Sequence, residues 1–334
     1  MRTYKKFIIS FTIGGLILLA LIFTFLYVGA ESIGAMDVLN GIFNYDENNF
    51  NQTIVRDIRL PRLIADIMVG GCLALSGCIM QGTTKNPMAD SGLMGISSGS
   101  VFAVVIIVAF FPGISRLGRI AFSSLGALFV TAIIYGIAII GRKTRTAERM
   151  ILSGMAISTL FSSLTTAFIL KEGISGEMLR YTAGSSANTI WTDVYVALPF
   201  FILGILIALL ISRSLTIMNL GDEVGKGLGA NVNMIRVLST LVVLVLSAIA
   251  VVIIGPVGYI GLMVPHIARK MVGTDYRFII PITAIFGAIF VLSGDMIART
   301  ILIPFEFPIG VIITMIGVPF FIYVSRRQEL EGSF

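Results

Sequence analysis

Few residues in this sequence could do chemistry, and they are widely spaced. His266 is the only histidine, and the two cysteines, Cys72 and Cys78, fall within one apolar stretch. A lone imidazole without a thiol or carboxylate cluster does not make a metal site, so we interpret His266 as structural and predict no bound metal. Neither a Walker-type phosphate loop nor a nucleophile–base arrangement is present. The sequence therefore predicts that this chain is not an enzyme.

Two acidic residues lie within otherwise apolar segments, where ionisable groups commonly serve ion coupling. On a helix, Asp66 would lie one turn from Arg62, and Asp295 one turn from Arg299. Oppositely charged residues at this spacing can pair and neutralise each other. A self-sufficient channel or secondary transporter would need these acids to couple ions. Because each acid has an arginine one turn away, the sequence argues against that class.

The composition indicates a polytopic membrane protein. Of the 334 residues, 56% are hydrophobic and only 13% are charged, whereas soluble domains have about 25% charged residues. The sequence contains nine long runs without charge. The run 237–268 is too long for one span and is interrupted at Gly255-Pro256-Val257-Gly258, because a proline between glycines breaks a helix. We therefore predict ten transmembrane helices in a single transmembrane domain, residues 1–334.

The basic residues orient these spans. With both termini in the cytoplasm, 16 of the 24 Lys and Arg residues lie inside and 8 outside, as the positive-inside rule requires. The first apolar run follows Arg2, Lys5 and Lys6, and we interpret it as a retained helix rather than a signal peptide. The net charge of +6 then reflects cytoplasmic loops beside membrane lipid, and no nucleic-acid partner is predicted.

The run Ile67–Thr84 is rich in small residues, which let helix backbones approach closely in lipid. They are Gly70, Gly71, Ala74, Ser76, Gly77 and Gly82. We expect this second span to be tightly packed.

The cytoplasmic loop 214–233 has apolar residues four apart, at Leu220, Val224, Leu228 and Val232. This spacing makes one apolar stripe on short helices. Lipid-binding helices are rich in Lys and Arg with aromatic residues, but this loop offers only Lys226 and no aromatic residue. The pattern favours docking to another protein.

An ordered set of motifs carries a resemblance to a known family. The motifs are Arg59-Leu-Pro-Arg62, Gly77 to Gln81, Asn86-Pro-Met-Ala89, Gly92-x-x-Gly95, Gly221-Asp-Glu223 with Leu228-Gly229, Gly261-Leu-Met-Val-Pro-His266 with Arg269, Gly294-Asp295 with Arg299, and Glu306-x-Pro308-x-Gly310. Together they resemble the FecCD family of ABC-transporter permeases, the membrane subunits for ferric siderophores, haem and vitamin B12. Asp66 and Ser91 depart from the family pattern, which commonly has an apolar residue and a proline there.

The resemblance implies a type II ABC importer permease fold in the bacterial cytoplasmic membrane. The expected partners are a second permease subunit, identical or paralogous, two ATPase subunits that hold ATP and Mg²⁺, and an extracytoplasmic substrate-binding protein. A ferric siderophore chelate is the expected cargo, with haem or cobalamin as the alternative. This chain itself is expected to bind no cofactor.

Roles for individual residues also follow from the resemblance. The residues implied in ATPase coupling are Gly221, Asp222, Glu223, Leu228 and Gly229. Arg59, Arg62 and Arg299 are implied in docking the binding protein, since arginine binds carboxylates through two parallel hydrogen bonds. Snorkelling to the interface is the alternative for these arginines. The segment 175–185, with Arg180 and Tyr181, resembles the outer gate helix.

We expect the cytoplasmic gate where spans two and three and spans four and five join. The residues there are Asn86, Met88, Thr144 and Thr146, with ordinary turn residues as the alternative. The fifth span carries a weakly polar face suited to a wide, low-affinity passage, although helix packing would explain it as well. The residues expected to line the pathway are Ser153, Ser158, Ser162 and Thr165.

Overall fold

The computed structural model describes residues 2–29, 33–92, 95–140, 147–229, 231–303 and 305–331, and the regular elements within these ranges are all helices. A π-helical segment, Ile54–Arg59, joins the third helix to the fourth. The α-helices are α1 (Arg2–Tyr27), α2 (Ala35–Phe43), α3 (Phe50–Thr53), α4 (Leu60–Thr84), α5 (Ile96–Phe110), α6 (Arg116–Ile140), α7 (Ala147–Lys171), α8 (Ser175–Thr182), α9 (Trp191–Asn219), α10 (Asp222–Gly227), α11 (Val232–Ile254), α12 (Ile260–Val272), α13 (Tyr276–Thr300) and α14 (Ile309–Glu331).

Within the described ranges, 7 helical segments are long and apolar enough to cross a membrane. They are Thr3–Tyr27, Phe50–Thr84, Arg116–Ile134, Leu152–Lys171, Trp191–Asn219, Val232–Ile254 and Tyr276–Thr300. Two shorter apolar helices are Ile96–Phe110 and Ile309–Val324. The prediction of an all-α polytopic membrane protein is confirmed.

Helix α4 lies at the centre of the bundle. The most apolar part of the segment Phe50–Thr84 is 89% buried, against 11% for the first helix. A Cβ atom added at Gly70 would overlap the carbonyl of Gly287 in α13, and one at Gly77 would overlap the backbone of Gly261 in α12. The expected close packing of this helix through its small residues is confirmed.

The predicted interruption at Pro256 separates α11 from α12. Helix α11 ends at Ile254, and Gly255 follows with φ 83°, a left-handed value that glycine adopts without strain. A Cβ there would also overlap the carbonyl of Tyr181. Helix α12 starts at Ile260 and has only 13 residues. The long apolar run therefore forms two helices, as its sequence predicts.

The connections contain short helices, and the sequence indicates those of the loop 214–233 but not those of the external loop. The predicted external loop between the first two spans contains α2, α3 and the π-helical segment. On the other side, α9 extends to Asn219 and α10 occupies the middle of the predicted loop 214–233. These short helices hold the candidate functional residues in defined positions.

Candidate functional site: a hydroxyl-lined cavity and the surfaces beside it

A cavity of about 610 Å³ lies between α5, α7, α8 and the turn that precedes α12. Three of the four residues predicted to line a pathway, Ser158, Ser162 and Thr165, contribute to its wall. Ser153 is not among the lining residues. The other serine and threonine residues described in the wall are Ser97, Ser98, Thr166, Ser175 and Thr182.

The spacing of the residues on α7 explains the wall. Ser158, Ser162 and Thr165 are four and three residues apart, so they share one face of the helix. Thr165 Oγ1 donates to the carbonyl of Phe161 at 2.7 Å. The buried Oγ of Ser158 has no hydrogen-bond partner among the described residues. The wall thus presents short neutral groups, some already bonded to their own helix.

Among the described residues that line the cavity, Asp90 alone is charged, and it is 2% exposed. Its carboxylate accepts a hydrogen bond from the Gly92 amide at 3.1 Å. Neutral hydroxyl groups exchange hydrogen bonds readily and hold no charge in place. Together with the apolar residues of the wall, they give the cavity a weakly polar surface.

The predicted cytoplasmic gate residues are only partly described. Asn86 follows Lys85, which has φ 54° and ends α4. Asn86 Oδ1 accepts from the Met88 amide at 2.9 Å, and the Asn86 carbonyl accepts from the Ala89 amide at 3.1 Å. Asn86 and Met88 therefore lie in one tight turn. Thr144 and Thr146 lie outside the described residues, and the gate stays a prediction.

Helix α10 presents an apolar surface to the solvent. Leu220, Val224 and Leu228 are 68%, 47% and 63% exposed, whereas Val232 is 3% exposed and packs inward. Gly221 has φ 131° and Gly229 has φ 80°, so glycine is needed at both ends of this helix. Glu223 is exposed; of Asp222, only the backbone is described. Three of the four predicted stripe residues, in and beside α10, are thus exposed.

Arg59 and Arg299 both bind the end of α1. Arg59 donates to the carbonyls of Leu26 at 2.6 Å and Tyr27 at 3.1 Å, and Arg299 donates to the carbonyl of Phe25 at 2.6 Å. The last carbonyls of a helix lack intrahelical partners and carry partial negative charge, so cations stabilise them. The two arginines are 5% and 6% exposed.

Arg62 is bonded to α13 rather than to its neighbour on α4. Its guanidinium donates to both carboxylate oxygens of Asp295, at 2.9 and 2.7 Å, and to Glu306 at 2.8 Å. Asp66 is 0% exposed, and neither of its oxygens has a hydrogen-bond donor among the described residues. The i, i+4 pairs that the sequence suggested are thus replaced by a pair between helices.

The three arginines predicted to dock a binding protein are each bonded to groups of this chain. Their role in docking stays a prediction. Sequence reasoning missed Asp295 and Glu306 as the partners of Arg62. Arg62, Asp295 and Glu306 all belong to the family motifs, but the motifs do not show which of these residues are in contact.

The predicted outer gate helix is present as α8. Tyr181 donates through its hydroxyl to the carbonyl of Val251 at 2.6 Å, which ties α8 to α11. The Ser185 amide donates to the carbonyl of Ile254 at 2.8 Å. The side chain of Arg180 is not among those described. Its role, and that of Tyr181 as a gate, stay predictions.

A second polar contact lies at the opposite end of α4. Gln81 donates to the carbonyl of Gly261 at 2.9 Å and accepts from Arg269 of α12. His266 packs edge-on against Phe320, with ring centroids 5.8 Å apart. Within the described residues, no three His, Cys, Asp or Glu side chains are grouped as metal ligands.

Comparisons with known proteins identify relatives of this chain. The chain is 39% identical over 329 residues to the iron(3+)-hydroxamate import system permease protein FhuB of Bacillus subtilis, an alignment that covers 98% of this chain and 85% of that protein. It is 39% identical over 302 residues to the Fe(3+)-citrate import system permease protein YfmD of the same organism, with 90% of each chain covered.

A solved structure described as an inward-facing conformation of a metal-chelate type ABC transporter superposes with a TM-score of 0.80 at 27% identity. The match covers 95% of this chain and 98% of that one. The model of the FecCD transport family matches residues 16–327. This chain belongs to the FecCD transport family.

Proposed function

We propose that this chain is the permease subunit of an ABC importer that moves a ferric siderophore chelate across the cytoplasmic membrane. The observation that carries the proposal is the cavity, whose wall combines serine and threonine hydroxyl groups with apolar side chains and one acid, Asp90. Such a weakly polar wall suits passage of a large chelate better than its retention. Family membership and two relatives named for iron(3+) import support the same cargo class. Haem or cobalamin is the alternative cargo.

The proposed topology has ten spans with both termini in the cytoplasm. Each of the ten predicted spans has a corresponding helix: α1, α4, α5, α6, α7, α9, α11, α12, α13 and α14. The excess of Lys and Arg on the cytoplasmic side supports the orientation. The chain is a multi-pass protein of the cytoplasmic membrane, and this topology would place α2 outside and α10 inside.

The proposed complex has a second permease subunit, identical or paralogous, two ATPase subunits and an extracytoplasmic binding protein. The exposed apolar surface of α10 supports coupling, because an ATPase groove would remove Leu220, Val224 and Leu228 from water. ATP and Mg²⁺ would be held by the ATPase subunits. Asn86 and Met88 with Thr144 and Thr146 would form the inner gate, and α8 the outer gate.

One observation favours a different class, a self-sufficient secondary transporter. Asp66 is a fully buried acid whose oxygens lack a hydrogen-bond donor in the described chain, and such groups often serve ion coupling. Against this, the charges of Arg62 and Arg299 lie within electrostatic reach of Asp66. The balance of charge favours a structural cluster.

Purification of the intact complex from membranes tests the proposal. An ABC importer permease should co-elute with an ATPase subunit, and Leu220→Asp with Leu228→Asp should abolish that co-elution. Lys226→Gln, on the same helix, is the matched control and should retain it. Purification of the wild-type chain without any ATPase, and with uptake intact, would contradict the proposal.

A further inference from the structure

We propose that Tyr259 is a specificity-determining residue of the transport pathway, because its phenol ring contacts the ferric chelate as the chelate crosses the membrane. The inference rests on the proposed importer function and deepens it. It assigns recognition of the cargo within the membrane to one side chain of the cavity wall, in the turn that precedes α12.

The backbone of Tyr259 has a conformation that tyrosine rarely adopts. Its φ is 69° and its ψ is −22°, in the left-handed region, where a bulky residue is an outlier. Tyr259 is also the residue that caps the start of α12, a position at which Ser, Thr, Asp, Asn and Gly are preferred. Glycine would satisfy both local requirements. Outliers of this kind persist where the surrounding structure enforces them, and they concentrate at functional sites.

The neighbouring residues enforce this conformation. The Tyr259 carbonyl accepts hydrogen bonds from the amides of Leu262 at 3.1 Å and Met263 at 2.8 Å. Gly317 of α14 provides space for the side chain, since a Cβ atom added there would lie 2.5 Å from Tyr259 Cβ and 2.6 Å from Tyr259 Cγ. The position of the ring is therefore fixed before any cargo arrives, and a fixed side chain loses less entropy on binding.

The Tyr259 side chain differs in kind from the rest of the wall. Among the described residues that line the cavity, Tyr259 alone is aromatic. It is half-buried, and its hydroxyl has no hydrogen-bond partner in the described part of the chain. A tyrosine ring supplies a large, rigid contact area at low entropic cost, and its hydroxyl can both donate and accept. Tyr259 can therefore make a larger contact with a chelate than any serine or threonine of the wall.

The depth of Tyr259 in the membrane places the ring on the path of the cargo. In the proposed topology, Arg269 and Lys270 in the last turn of α12 mark its cytoplasmic end. Tyr259 precedes Lys270 by 11 residues, about 16 Å along a helix, which is about half of the hydrocarbon thickness. Irregular backbone at this depth is tolerated where it is buried in protein or lines a cavity. The turn 255–259 lines the cavity at its mid-membrane level.

Packing of α12 against α14 is the other role that the ring could have. The two roles differ in what removal of the ring does to stability. Glycine adopts a φ of 69° without strain, so Tyr259→Gly should have a thermal midpoint no lower than that of the wild type if the ring serves the cargo. If the ring serves packing, the same change should lower the thermal midpoint.

The test uses the whole complex in proteoliposomes with internal ATP and the loaded binding protein that purifies with it. The probe is whichever iron-55 chelate the wild type accumulates, a ferric trihydroxamate or ferric citrate. We expect Tyr259→Leu and Tyr259→Gly to lower uptake about fivefold, as the loss of an aromatic contact does. Tyr259→Phe keeps the ring and should lower uptake about twofold, through one lost hydrogen bond. ATP hydrolysis should change little in all three variants.

The matched control is Tyr323→Leu, at a tyrosine of α14 that is 58% exposed and does not line the cavity. It should take up the chelate as the wild type does. Uptake by Tyr259→Leu equal to that of the wild type would overturn the Tyr259 inference and leave the importer proposal standing. A thermal midpoint of Tyr259→Gly that falls together with its uptake would also overturn it and assign the ring to packing. Failure of the wild-type complex to accumulate either chelate would overturn both proposals.

Discussion

Arg62 and Asp295, separated by 233 positions in the sequence, form a two-point ion pair with nitrogen–oxygen distances of 2.9 and 2.7 Å. The pair joins α4 to α13 at a buried position, and Ser186 donates to the same carboxylate at 3.1 Å. A buried ion pair is retained only when its geometry and hydrogen bonds compensate for lost hydration. This pair therefore fixes the packing of the two central helices.

Removal of one partner should be strongly destabilising. We expect Asp295→Asn to lower the free energy of unfolding by about 3–5 kcal/mol, because the buried guanidinium of Arg62 loses its buried counter-charge and keeps only the exposed Glu306. Unfolding in detergent, followed by circular dichroism, measures the change. Glu306, 42% exposed, is the matched control, and Glu306→Gln should change stability by about 1 kcal/mol or less. Equal effects of the two changes would contradict this role.

Arg299 should stabilise the end of α1. Its loss as Arg299→Met removes a hydrogen bond from a charged donor, which contributes about 1.5–3 kcal/mol. We expect faster hydrogen exchange in residues 20–27, with little change in α9. Arg277→Met, at an exposed arginine, is the control. Unchanged exchange in α1 would show that Arg299 does not hold this helix end.

The glycine contacts of α4 should tolerate no side chain. Gly77→Ala places a Cβ against the backbone of Gly261, which must move. We expect a loss of about 1–3 kcal/mol, the usual effect of overpacking. Gly15→Ala, where no atom lies within 4 Å of the added Cβ, should be neutral or slightly stabilising. The thermal midpoints of the two variants measure this difference. A Gly77→Ala variant as stable as the wild type would contradict the close contact between α4 and α12.

Asp275 should make the free energy of unfolding depend on pH in the acidic range. It accepts from the Arg277 amide at 3.0 Å and begins α13, and the hydrogen bonds from Arg277 hold the pKa of its carboxyl below the ordinary value. A lowered pKa stabilises the fold above the unfolded value of about 3.9 and loses that contribution as the pH falls through the folded pKa. Asp275→Asn should therefore flatten the fall in stability below about pH 4. Parallel curves for both proteins would contradict this assignment.

Sequence patterns were sufficient to predict the membrane class, the break at Pro256 and the close packing of Gly70 and Gly77. Each of these features depends on local composition. They were insufficient to predict the partner of Arg62. Spacing along one helix suggested Asp66, whereas the Arg62 side chain reaches Asp295 on another helix. Helix α2 was also hidden, because it is too short for a clear hydrophobic period.

Some residues of the candidate site could also be predicted from the sequence, and others could not. The hydroxyl face of α7 is a helical pattern, so Ser158, Ser162 and Thr165 could be grouped from their spacing. Ser153 shares the polar character of that face but lies at the end of α7 away from the cavity. Burial of Arg59 could not be predicted, because it depends on the π-helical turn that directs Arg56 outward instead.

The central claim is that ATP hydrolysis by a partner subunit drives cargo through this chain. Uptake of radioactive ferric chelate into proteoliposomes that contain the whole complex, with and without internal ATP, tests it most directly. The account predicts accumulation only with ATP and loaded binding protein, abolished by Leu220→Asp with Leu228→Asp. Equal accumulation without ATP, driven by an ion gradient, would contradict it.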